Sequence, residues 1–300
     1  MLGPTRKQLF SKIVTYGKLL RVTSWAKNFF VFVPLVFAKQ LFNKGEFLDV
    51  LSGFILFSIA ASAIYVVNDI YDAEKDAIHP LKKNRPVASG KISAIEAKIT
   101  GAIFFILAGA ISFVMNYSFV AIVWFYILLN ILYTNYLKQI VIVDIFCIAL
   151  GFMLRVIGGA VIISVSISSW LILTTLFLSL FLAAMKRRVE IATSEHAVEQ
   201  RNVLKDYSLS FIDQISSITG GGVIISYALY TVSERTILMF GSEYFVFTTI
   251  FVIFGIFRYM YIVFKKDKGE NVVEAMITDS QMIVNALLYV GVVITFIYNR

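Results

Sequence analysis

Hydrophobic and polar positions along this 300-residue chain fall into long apolar runs separated by short basic segments. A helix that crosses a bilayer needs about 20 mostly apolar residues, and runs of that length recur. Residues 50–68 carry no charge. Residues 99–137 are an uncharged stretch too long for one helix, and Asn116-Tyr117-Ser118 is where it is expected to break into two helices joined by a tight turn. Residues 140–163 are apolar apart from Asp144 and Arg155; the uncharged stretch 156–185 then holds the end of that span and all of the next. Runs at 214–233, 244–264 (interrupted by Arg258) and 280–299 follow, and a shorter first span covers 29–42 with Pro34 inside. The pattern predicts nine spans in an all-α, polytopic membrane bundle, one domain over 1–300.

Residues 1–28 are basic and precede the first span without a small-residue cleavage site. They read as a cytoplasmic amphipathic segment rather than a signal peptide, with Arg6, Lys7, Lys12, Lys18, Arg21 and Lys27 near anionic headgroups. Lys and Arg also crowd the segments after spans two, six and eight. Lys39, Lys44, Arg235 and Arg300 fall on the other side. This asymmetry predicts a cytoplasmic N-terminus and large loops, at 72–98 and 186–213, in an inner (plasma) membrane protein whose C-terminus is outside.

Composition agrees. Hydrophobic residues make up 59% and charged residues 15%, with mean hydropathy +0.81. These values exclude a disordered chain, a coiled coil and a nucleic-acid binder with a charged surface. The net charge of +8 suits basic loops or anionic substrates. Cys147 is the single cysteine, so no internal disulfide forms.

The chemistry concentrates after span two, in Asn68-Asp69-Ile70-Tyr71-Asp72-Ala73-Glu74-Lys75-Asp76. In a continuing helix Asp69, Asp72 and Asp76 share one face, and Asn68, Asp72 and Asp76 form an i, i+4, i+8 row. Hard oxygen ligands grouped this way suit Mg²⁺ that also holds substrate phosphates. The alternative is a solvated helix end balanced by Lys75 and Lys82. The next segment, His79 to Gly90, is basic and turn-rich; acids for a metal beside bases for phosphate is the layout of a diphosphate site.

Asn-Asp-x-x-Asp-x-x-x-Asp at this position, followed by Arg85-Pro86-x-Ala88-x-Gly90, resembles the first signature of the UbiA-type intramembrane prenyltransferase superfamily. Nine helices with an inside N-terminus are what that resemblance implies. Members of that superfamily usually carry a second acidic motif after span six. This chain instead reads Lys186-Arg187-Arg188-Val189-Glu190, and three cations would bind phosphate oxygens without a metal. Leu20-Arg21-Val22-x-x-Trp25-x-Lys27-Asn28, Tyr136-Leu137-Lys138 and Gly151-Phe152-x-Leu154-Arg155 are similar to the decaprenyl-phosphate phosphoribosyltransferase branch.

The resemblance implies Mg²⁺-dependent transfer of 5-phosphoribose from phosphoribosyl diphosphate to a polyprenyl phosphate in the membrane, without nucleic acid and with homo-oligomerisation left open. Asn68 and Asp72, with Asp69 or Asp76, would hold the metal and act in catalysis. Lys82, Lys83 and Arg85 would meet donor phosphates, and Lys186, Arg187 and Arg188 the ribose 5-phosphate or the lipid phosphate. Lys27, Tyr65 and Lys138 would stand at the mouth. Asp144 and Arg155, about 16 Å apart on one face of span five, must face the bundle interior or a wet cavity. A prenyl diphosphate:aromatic acceptor transferase and an anionic-lipid transporter are the competing readings. His79 and His196 stand in loops without partners for a zinc site.

Overall fold

The computed structural model describes residues 6–78, 82–193, 202–266 and 278–298. Among them every regular element is helical. The order is α1 (Arg6–Leu19), a 3₁₀ stretch (Val22–Phe32) that runs into α2 (Val33–Phe37), α3 (Lys44–Tyr71), α4 (Ala73–Ala77), α5 (Ala94–Ser112), α6 (Tyr117–Asn135), α7 (Val143–Ile162), α8 (Ser169–Thr193), α9 (Leu209–Thr231), α10 (Glu234–Phe240), α11 (Thr249–Lys266) and α12 (Ser280–Tyr298). Among the described residues, seven helices are long and apolar enough to cross a bilayer unaided. Two pairs bent by 54° and 56°, one at the N-terminus and one at α9–α10, bring the count up to nine.

Local chemistry sets the breaks. Asn116 caps α6 as expected, its Oδ1 accepting from Ser118 N at 2.9 Å and Phe119 N at 3.4 Å. Ser93 and Glu96 form a reciprocal capping box on α5. The first span departs from expectation. It reaches back past residue 29: Val22–Phe37 follows α1 across a 54° bend and is long and apolar enough for a span only together with it, the bend falling at Arg21, which takes a left-handed conformation (φ 48°). Trp25, Lys27 and Asn28 therefore lie within the spanning segment. Pro34 is at the first turn of α2, where it displaces no helical hydrogen bond.

α3 is the central helix. Its buried face, including Val50, Leu56, Phe57 and Ala60, packs with Val31 and Leu35 of the first span and with Phe119, Val123 and Tyr126 of α6. A second core joins α8, α9 and α11 through Phe181, Met185, Val223, Tyr259 and Val263. α5 and α12 bury little within the bundle. They turn Ile99, Ile103, Ile106, Leu287 and Leu288 outward, toward what would be lipid.

The closest backbone approach fixes the first span against α7. A Cβ added at Gly159 would stand 2.0 Å from the Val31 carbonyl oxygen and 2.9 Å from its carbon, and backbone cannot yield as a side-chain tip can. Gly159→Ala is therefore expected to lower the thermal midpoint of the purified protein, whereas Gly109→Ala, with open space around it, should not. Equal midpoints for the two variants would refute this packing.

Candidate active site

The end of α3 carries the acidic motif. Helical hydrogen bonds persist through it, from Asp72 N to Asn68 O at 2.9 Å and from Asp76 N to Asp72 O at 2.8 Å. The helical register expected for the acids is thus kept although α3 formally ends at Tyr71. Asp69 and Asp76, both buried, converge on Arg85: Nη1 lies 2.5 Å from Asp76 Oδ2 and 3.5 Å from Asp69 Oδ1. Arg21 also bonds Asp69. The Asn68–Asp72 row faces elsewhere. Asn68 Oδ1 accepts from Thr134 Oγ1 of α6 at 2.9 Å, and half-buried Asp72 lies 3.8 Å from Lys138 Nζ in the α6–α7 turn.

Among the described residues no three His, Cys, Asp or Glu side chains converge on a point that could hold a metal. An all-protein cage is therefore not built here. The amide and carboxylate of Asn68 and Asp72 are two hard oxygen donors one turn apart. Such a pair fits a divalent cation that takes its remaining ligands from substrate phosphates and water.

Around this row stands a basic, aromatic mouth. The Arg21 guanidinium lies 4.7 Å above the Tyr65 ring. Trp25 Nε1 donates to Ser62 Oγ at 3.0 Å, and that hydroxyl donates to Leu20 O at 2.9 Å, so the bend after α1 is pinned to α3. Lys27 and Arg155 lie within electrostatic reach of the Tyr65 hydroxyl. In the following loop, Lys82 is half-buried, Lys83 is exposed and Arg85 reaches the acids.

Asp144 and Arg155 are both buried in α7, with different company. Asp144 Oδ2 meets Arg187 Nε at 2.6 Å, and its Oδ1 accepts from Tyr207 Oη at 2.7 Å. Tyr207 Oη also accepts from Ile142 N at 2.5 Å. Burial and its bond to Asp144 push the Tyr207 phenol well above its ordinary pKa, so it remains a neutral donor. Arg155 has no such acid. Its Nε donates to Asn28 Oδ1 at 2.7 Å, Nη2 to Tyr126 Oη at 2.9 Å and Nη1 to Gly151 O at 2.5 Å.

The expected basic cluster at 186–188 does not form. Successive residues on a helix point about 100° apart, so the three cations diverge. Arg187 is fully buried, held by Asp144, by Glu190 and by Tyr133 Oη at 3.1 Å. Arg188 Nε bonds Asp213 Oδ1 at 2.8 Å, and the guanidinium covers the Phe264 ring at 3.8 Å. Lys186 stays half-exposed, 3.9 Å from Glu190. Arg187 and Arg188 thus serve helix–helix ion pairs where the sequence pattern had suggested a shared phosphate site.

Among the partners, Tyr126, Tyr133, Thr134 and Asp213 were not singled out from sequence, and Asn28 stood only as a motif position. Tyr126, Tyr133 and Thr134 do carry a signal, since polar groups at i, i+7 and i+8 in an apolar span mark an inward face. His79, His196 and Arg201 lie outside the described residues.

The family model described as UbiA prenyltransferase family matches residues 29–277. The decaprenyl-phosphate phosphoribosyltransferase of Corynebacterium glutamicum is 34% identical over 218 residues, covering 71% of this chain. The chain spans 66% of that relative's length, just under two thirds. The Mycobacterium tuberculosis protein of the same name is 30% identical over 220 residues, 71% of this chain and 72% of its own. In fold, the chain is similar to a UbiA homolog from Archaeoglobus fulgidus solved with GPP and Mg²⁺, with TM-score 0.71 and 16% identity over 94% of this chain and 99% of that one.

Proposed function

We infer the function from kinship and site together: this chain belongs to the UbiA prenyltransferase family, is an integral membrane protein, and transfers 5-phosphoribose from phosphoribosyl diphosphate to a polyprenyl phosphate. The observation that carries the choice of donor is at the end of α8. Glu190 there is paired with Arg187 and Lys186, so among the described residues this end offers no second acidic row for a second metal. One diphosphate site remains, at the end of α3.

In this reading Asn68 and Asp72 would hold Mg²⁺, with Asp69 and Asp76 turned to Arg21 and Arg85 beside them, and the ion would supply neutralisation of the charge on the departing diphosphate. Lys138 beside Asp72 and Arg85 between Asp69 and Asp76 bind donor phosphate oxygens. Their fixed positions supply electrostatic stabilisation without reorganisation. An oxygen of the lipid phosphate bonds to ribose C1 as the C1–O bond to diphosphate breaks, with its electron pair leaving on the diphosphate. The nucleophile is already an anion, so no proton has to be removed. Arg21 and Arg85 hold buried Asp69 and Asp76 in place behind this row. The N-terminus and both loops face the cytoplasm of the inner membrane, where a water-soluble donor is available.

The test is purified protein with Mg²⁺, phosphoribosyl diphosphate and a polyprenyl phosphate, with mass spectrometry of the lipid. A lipid heavier by one phosphoribosyl group, with diphosphate released, is expected. Product only from prenyl diphosphate and 4-hydroxybenzoate would assign the chain to aromatic prenylation instead. Lipid movement across vesicles without diphosphate release would make it a transporter.

A further inference from the structure

Arg155 is 5% exposed in the middle of a spanning helix, and among the described residues no carboxylate answers its charge. Its three hydrogen bonds go to an amide, a phenol and a backbone carbonyl. A guanidinium carries five N–H donors, so two are left over. The Asn28 that holds Nε is itself fixed, donating through Nδ2 to Ser58 Oγ at 2.9 Å. The guanidinium also sits 4.6 Å from the Tyr126 ring centroid and 5.6 Å from that of Phe152. Rings and neutral dipoles moderate a buried cation but do not neutralise it.

The other intramembrane cations differ. Arg187 has two carboxylates, Arg258 is held by Asp279 through Nε at 3.0 Å and Nη2 at 2.8 Å, and Arg21 has Asp69. Lys27, half-buried on the first span, likewise makes no ion pair among the described residues, and it shares the Tyr65 hydroxyl's surroundings with Arg155. Lys27 is also the chain neighbour of Asn28, which holds Arg155 Nε at 2.7 Å, so two cations without ion pairs among the described residues meet where the first span packs on α7. Charge this deep in hydrocarbon marks a substrate or ion pathway more often than a structural contact.

The position is also informative. Tyr65 is one turn, and Ser58 about three turns, deeper along α3 than Asn68 by helix rise. A phosphate held here would lie below the donor diphosphate, on the side from which a lipid tail enters.

We propose that Arg155 and Lys27 form the binding site for the terminal phosphate of the acceptor lipid. This rests on the phosphoribosyl-transfer reading and assigns the acceptor phosphate to these two cations and away from 186–188. A dianionic phosphomonoester on an apolar chain matches two cations, two spare donors and aromatic walls.

The experiment is equilibrium binding of a polyprenyl phosphate and of the matching polyprenol to the full chain in detergent, without donor. Binding of phosphoribosyl diphosphate with Mg²⁺ is measured in parallel. The wild-type protein should prefer the phosphate form by about tenfold or more, the scale of one or two charge-assisted bonds. Lys27→Gln and Arg155→Gln should each erase most of that preference and leave donor binding within about twofold. No preference in the wild-type protein, an intact preference in Lys27→Gln, or a loss confined to donor binding would overturn the assignment. If Arg155→Gln does not fold, Lys27→Gln decides alone. A phosphate preference that depends on these residues in a protein making no phosphoribosyl lipid would uphold the site and refute the activity.

Discussion

Asp72→Ala is expected to lower product formation by at least about 10²–10³-fold, the cost of removing a fixed group that stabilises charge in the transition state, in a protein that folds as well as the wild type. The two halves of that expectation have separate grounds. Asp72 is half-buried at the end of α3, and its ion pair with Lys138 is long at 3.8 Å. Such a pair contributes about 0–1 kcal/mol to stability. Asp69 is different: it is buried, bonded by Arg21 and close to Arg85, so Asp69→Ala strands cations and should lose stability as well as activity. Product formation, Mg²⁺ dependence and the thermal midpoint of both variants distinguish a metal-holding carboxylate from a structural one. A fully active Asp72→Ala protein would remove Asp72 from the metal site, and equal loss of midpoint in both variants would remove the distinction between them.

The contrast between these neighbours shows where sequence reading succeeds and where it stops. Spacing placed Asp69, Asp72 and Asp76 on one face; Asp69 and Asp76 do share Arg85, whereas Asp72 turns to Lys138. The Asn116 break, the apolar spans and the basic loop after α3 were equally legible, because each depends on residues adjacent in the chain. What spacing could not supply was the partner across helices. Lys186-Arg187-Arg188 reads as one patch along a line of text, but a helix spreads three consecutive residues over most of its circumference. Only packing against α7, α9 and α11 reveals that Arg187 faces Asp144, and Arg188 faces Asp213 and Phe264. The start of the first span was hidden for a similar reason. The left-handed turn at Arg21 is held by Trp25 on Ser62 and by Arg21 on Asp69, contacts with a helix some 40 residues on.

The second large effect concerns that buried pair. Asp144 and Arg187 are both fully buried and joined at 2.6 Å. Removing one member of a buried pair costs about 3–5 kcal/mol, because the other charge is left in low dielectric. Asp144→Ala should approach that range. Glu190 still holds Arg187, but Tyr207 loses the acceptor of its hydroxyl proton while still accepting from Ile142 N, in a turn whose backbone is strained at φ 70°. Replacing both charges, Asp144→Leu with Arg187→Met, should recover much of the loss, since well-packed apolar residues often match or exceed a buried ion pair in stability. Thermal unfolding in one detergent reads all three proteins. Wild-type stability in Asp144→Ala, or a double variant no better than the single, would contradict the buried pair. The same double variant also tests function. If Arg187 binds neither substrate, its KM for phosphoribosyl diphosphate and for the lipid phosphate should stay within about threefold of wild type, well below the tenfold or greater change expected from losing a charge-assisted substrate contact. A large rise for either substrate would return Arg187 to the binding site and require the ion pair to open during turnover.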